Sequence, residues 1–122
     1  MAIGKELGDF TLKSTGTSYA EEGGIVRLDC EGTATGYGTV LGTLRFQGEP
    51  GAKTGALSWR GQGFLENGDT ITGTGEGNWE EIGKHQWRTR LLVSTSDGGC
   101  HASDGVLDLA TRTLTGKMLD WS

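Results

Sequence analysis

Proline occurs once in 122 residues, at Pro50, and cysteine only twice, at Cys30 and Cys100. Each scarcity excludes something. With 23 glycines, almost no proline and no three-residue glycine period, the chain is neither collagen-like nor a disordered Pro/Gly segment. The two cysteines follow no C-x-x-C spacing and read as separate thiols, buried in a reducing compartment. A disulfide between them would require Cα atoms within about 7 Å. The longest apolar runs are a few residues, so no membrane span is expected. The start, MAIGKELGDF, lacks the apolar core of a signal peptide, and the expected location is cytoplasmic. Lysine and arginine total 11 against 16 acids, for a net charge of −5, and no basic cluster exceeds Arg88/Arg90. Such a surface repels phosphate backbones, so nucleic acid is not an expected partner.

The familiar catalytic motifs are missing too. No G-x-G-x-x-G, G-x-S-x-G or H-E-x-x-H exists. Gly77 to Lys84 has five residues between its glycines, and His85 stands where a phosphate-binding loop needs Ser or Thr. No cofactor and no metal are expected.

What is present is alternation. The length fits one domain, with enough chain for one real core. Strands are predicted over Asp9 to Thr17, Ile25 to Ala34, Thr39 to Gln47, the two arms flanking Asn67-Gly68, His85 to Thr95, Cys100 to Leu109 and Leu114 to Trp121. Ile25 to Ala34 is the clearest: Val26, Leu28, Cys30, Gly32 and Ala34 on one side, Arg27, Asp29 and Glu31 on the other. A kink or bulge is expected at Ser103-Asp104-Gly105. Leu92 breaks the alternation and is expected to lie under a loop or a neighbouring subunit.

Leu57 to Thr95 organises the rest and holds three of the four tryptophans. Asn67-Gly68 between alternating runs is a strong hairpin signal. A two-residue turn would set Leu65 opposite Thr70 and Trp59 opposite Glu76, mixing apolar and charged groups on each face. A three-residue turn with Gly68 in the left-handed position pairs Leu65 with Asp69, Gly63 with Ile71, Gly61 with Gly73 and Trp59 with Gly75. Leu57, Trp59, Leu65, Ile71 and Trp79 then share one face, and Arg60, Thr72, Thr74 and Glu76 the other. A one-residue slip inverts every side chain, so the sorted register is the expected one. It leaves Phe64 on the polar face.

Eight short antiparallel strands with glycines on the inward face predict an all-β fold, a single eight-stranded antiparallel barrel over residues 1–122. The strand order, the TGTGEGNW run at Thr72 to Trp79, and the Gly/Thr-rich third and fourth strands resemble the allene oxide cyclase barrel superfamily. That resemblance covers nearly the whole chain. It implies a barrel with an apolar cavity and trimeric assembly, as in family members that include small bacterial proteins of unknown role. No catalytic residue of the family maps onto a position here, so its activity is not implied. Avidins and lipocalins usually open with a G-x-W strand, and this chain has no Trp before Trp59.

The candidate ligand-binding residues are Trp59, Trp79, Trp87, Cys30, His85 and His101. The three indoles, on consecutive strands and one face, would wall a pocket for a flat apolar molecule, or else plug the barrel as a connected aromatic cluster. His85 and His101, with Cys100 or Glu81, would make an acid–base or metal site near a barrel end, or else lie exposed at turns. Cys30 faces inward with nothing to activate it, the mark of an inert thiol. Three functions follow. One is a barrel binding a small apolar molecule. The second is a cyclase- or isomerase-type enzyme. The third is a filled barrel acting through protein contacts, with Leu92 and Phe64 as anchors. Those two residues and the resemblance also predict a homo-oligomer, a trimer or dimer.

Overall fold

The computed structural model describes residues 4–121. Eight strands follow in order: β1 (Glu6–Tyr19), β2 (Ile25–Ala34), β3 (Gly38–Gln47), β4 (Thr54–Phe64), β5 (Thr70–Gly83), β6 (Gln86–Thr95), β7 (Cys100–Asp108) and β8 (Thr113–Asp120). Each pairs antiparallel with the next, and β8 returns to β1, closing an up-and-down barrel. Closure leaves no row of unpaired backbone groups. No helix of the described residues is long and apolar enough to cross a membrane.

Alternation sorts the side chains as the residues require. On β2, Leu28 and Cys30 are buried between exposed Arg27, Asp29 and Glu31. The sorted register of the β4–β5 hairpin is the observed one, with Gly63 opposite Ile71, Gly61 opposite Gly73 and Trp59 opposite Gly75. Leu65 N–H donates to the Asp69 carbonyl at 2.9 Å, and Gly68 N–H to the Leu65 carbonyl at 3.0 Å. Gly68 sits at φ +95°, a conformation that residues with a Cβ adopt only with strain. Phe64 is exposed on the outer face, as that register demands.

Large rings fit this narrow interior by lying on glycines. A Cβ on Gly42 or Gly61 would come within 2.2 or 2.4 Å of the Trp59 indole. One on Gly105 or Gly116 would come within 2.9 or 2.8 Å of Phe10 Cζ. Trp79 lies against Gly48 and Gly55, and its Nε1–H donates to the Gln47 carbonyl at 2.9 Å. Its ring meets Phe46 edge-on, with centroids 6.4 Å apart. This group closes the lower end of the barrel, the end of the β3–β4 and β5–β6 connections.

Several expectations need correction. β7 has no bulge at Ser103–Gly105; its pairing with β6 and β8 is unbroken. Gly105 serves there as floor for Phe10. The bulges fall instead at Ser14/Gly16, Glu6/Gly8 and Glu81/Gly83. His85 does not start β6 but occupies the turn before it, at φ +54°. It therefore lies at the lower end and His101 at the upper, because successive up-and-down strands begin at opposite ends. Among the described residues no ring contact joins two tryptophans; Trp59 and Trp79 each find their own glycine floor. Leu92 is 40% exposed, and no loop among the described residues covers it.

Trp79→Ala is expected to lower the unfolding free energy by about 3–5 kcal/mol, the usual cost of emptying a buried Trp site. Backbone glycines line this one and cannot move in to fill it. Denaturant titration measures the loss, and a change below about 0.5 kcal/mol would contradict the buried role.

Candidate functional site

Above the Trp79 plug the barrel is not full. A cavity of about 90 Å³ remains. Its walls are aliphatic and aromatic: Leu12, Val40, Leu44, Leu91 and Leu114 among others, with Trp59 flat against Gly42 and Gly61. Besides Gln62 of β4, which stands on the outward side of its strand, the polar residues of the lining form one strip: Thr89 and Thr95 on β6, His101 and Ser103 on β7, and Tyr37 from the β2–β3 turn. No Lys, Arg, Asp or Glu lines the cavity.

Tyr37 reaches the cavity because Gly36 and Gly38 flank it at φ +81° and +69°, bending the turn over the mouth onto Gly63. Its hydroxyl lies 3.5 Å from His101 Nδ1, with ring centroids 5.8 Å apart. The Thr95 hydroxyl, which lines the same cavity, donates to the Asp97 carboxylate. Asp97 also accepts Gly99 N–H at 3.0 Å and is itself exposed. Polar side chains thus gather between the exposed Asp97 and the buried His101.

The protonation states follow from burial. Desolvation holds the His101 imidazole below its ordinary value, favouring the neutral ring. Burial raises the Tyr37 phenol, the negative charge of Asp97 raises it further, and the Thr95 hydrogen bond opposes both. Asp97 is lowered by the Thr95 hydroxyl and then by the Gly99 N–H.

Of the six candidate residues, the structure brings Trp59 and His101 into this one cavity. Trp79 lies beneath it as the lower plug, and Trp87 is partly buried against the core at the same lower end. His85 is exposed at its turn. Cys30 is buried, its thiol pushed up to about 12 by desolvation and then by the charge of Asp29. Both cysteines are free, and Cys100, expected to be buried, is exposed, because it stands on the outward side of β7 next to the turn. Among the described residues no His/Cys/Asp/Glu group is placed to hold a metal. Tyr37, Thr95 and Asp97 were not legible as site residues, since strand alternation says nothing about turns. The one available signal was an aromatic between two glycines, Gly36-Tyr37-Gly38.

A second hollow lies outside the wall, across β2 to β5. It is open, about 580 Å³, and carries Asp29, Glu31 and Arg60. Thr43 donates to Asp29 at 2.7 Å. Gly61 and Gly73 border both this hollow and the inner cavity, so the wall there is one backbone thick.

The thiols give a direct check on the inward assignment. A thiol-reactive chromogen should label Cys100 at once and Cys30 only after unfolding, because the thiolate is the reacting form and burial suppresses it. Rapid labelling of two thiols in the native protein would contradict the placement of Cys30.

No protein-family model, no curated protein and no solved structure matches this chain.

Proposed function

We propose that the protein binds a small, neutral, mostly apolar molecule inside the barrel. The observation that carries this is the cavity itself, an apolar chamber of about 90 Å³ with its inward polar groups gathered on one strip and no charge in its lining. A buried charge without a partner costs several kcal/mol or more, so a neutral occupant is favoured. The volume limits size. Sites for drug-sized ligands run about 300–1,000 Å³, and an engineered cavity that takes benzene is roughly 150 Å³. The fitting occupant is a five-membered ring or smaller, with one hydrogen-bonding group toward His101 and Ser103 and its apolar side on Trp59.

The closed eight-stranded barrel and the TGTGEGNW run on β5 also support reading this chain as an allene oxide cyclase-like protein. Self-association is part of the same proposal. Leu92, 40% exposed, pairs with the buried Ala102, which pairs in turn with the partly buried Leu119, and a partner covering this row would bury Leu92. Sedimentation should show a dimer or trimer, and a monomer at high micromolar concentration would sink that part.

Cyclopentanol and pyrrole are suitable probes of the cavity, read by Trp59 fluorescence. Binding is expected in about the millimolar range. Gly61→Ala should abolish it while leaving a folded protein, because the new methyl would meet Trp59 Cζ2 at 2.4 Å and drive the indole into the cavity. Unchanged fluorescence of the parent at saturating probe, or equal binding by a folded Gly61→Ala variant, would overturn the proposal.

A further inference from the structure

Holding a neutral molecule needs one hydrogen-bonding partner, yet the cavity mouth gathers four polar residues in two contacting pairs, His101 with Tyr37 and Thr95 with Asp97. An ionised carboxylate only accepts, so the Thr95 hydroxyl donates to Asp97. At the inner contact the Tyr37 oxygen is placed to accept from a hydrogen on His101 Nδ1. With the hydrogen on Nδ1, Nε2 is left as an unprotonated base. The 3.5 Å between Tyr37 and His101 is long, as catalytic contacts in unliganded sites often are.

We infer that His101 is a general base for proton transfer at the carbon beside a carbonyl group, acting on small neutral ketones or aldehydes held in the cavity. This rests on the proposed binding function. In the step, Nε2 takes an α-proton. The C–H bond breaks and an N–H bond forms. The C–H electron pair becomes the carbon–carbon double bond of the enolate, and the carbonyl π pair moves to oxygen. Ser103, on the same face of β7 two residues along, lines the cavity with a hydroxyl able to donate to that oxygen. The imidazolium then returns a proton to carbon, and its exchange with water renews it from solvent. No oxidant or second substrate is needed. Tyr37 is a positioning residue. It holds the ring in the reactive tautomer and accepts from the imidazolium.

The test is solvent deuterium incorporation into cyclopentanone, followed by proton NMR in D₂O, alongside its binding read by Trp59 fluorescence. The expected rate is about 10²-fold above that of equimolar free imidazole. His101→Gln should return the rate to that background even at saturating cyclopentanone, with the bound fraction read by fluorescence and circular dichroism confirming the fold. The titratable groups around His101 are Tyr37, Asp97 and Asp120, the last opposite it on β8. Burial favours the neutral ring, so the parent rate should stay flat through neutral pH and fall only below the ordinary histidine range. Tyr37→Phe removes the acceptor for Nδ1–H, so it should lower the rate several-fold and move that bend to still lower pH. Cyclopentanone bound without exchange, or exchange undiminished in His101→Gln, would overturn the inference and leave the binding function standing. Neither binding nor exchange would overturn both. Tyr37→Phe with an unchanged rate and bend would remove Tyr37 from the mechanism.

Discussion

The width of an eight-stranded barrel is the constraint on which this structure depends. Such an interior is just wide enough for side chains to fill, yet this one takes in Phe10, Trp59 and Trp79 and still keeps a cavity. The solution is a glycine beneath each ring. Gly42 and Gly61 let Trp59 lie against the wall, Gly105 and Gly116 accept Phe10, and Gly48 and Gly55 accept Trp79. Part of the unusual glycine content is thus a device for space. At other positions, Gly36, Gly38 and Gly68 among them, a left-handed backbone demands it. Remove the shelves and the rings must stand into the lumen, where they would fill it.

This explains which parts of the molecule could be seen in the chain alone. Strand alternation is a local property with period two. The Leu28/Asp29/Cys30 pattern and the Asn67-Gly68 turn therefore placed the strands, the closed all-β architecture and even the hairpin register. Depth along the barrel axis is not a local property. Trp59 and Trp79 both point inward, but one borders the cavity and the other plugs the lower end, and that difference depends on which glycines lie opposite on neighbouring strands. His101 was legible as an inward residue near a strand end. Tyr37 was not, because its approach to the lumen comes from a turn bent by two left-handed glycines. The two histidines were grouped without regard to strand direction, and the meander separates them by the full height of the barrel.

The interior is also divided chemically. Its aliphatic walls come from several strands, while the inward polar groups gather on β6, β7 and the β2–β3 turn. Burial there makes neutral forms the favoured ones, so the strip acts through hydrogen bonds and not through charge. The ion pairs sit elsewhere, on the outer surface. Arg88 holds Asp104 at 2.7 Å and Lys53 holds Glu81 at 2.8 Å. Exposed pairs of this kind contribute little to stability, typically below about 1 kcal/mol each. Packing of rings onto backbone is the larger influence on which interior shape persists.

The strand order has a kinetic consequence. Seven of the eight pairings join strands that are neighbours in sequence, each formed by closing a short turn. The eighth, between β1 and β8, sets Phe10 opposite Gly116, and Lys117 reaches Glu6 across the same seam at 2.7 Å. Loop-closure entropy rises with the length of chain enclosed, so a curling sheet that zips hairpin by hairpin and joins its two edges last is the least costly route. Until that final joining, Phe10 has no Gly116 to lie on, and both β1 and β8 present open edges to other chains.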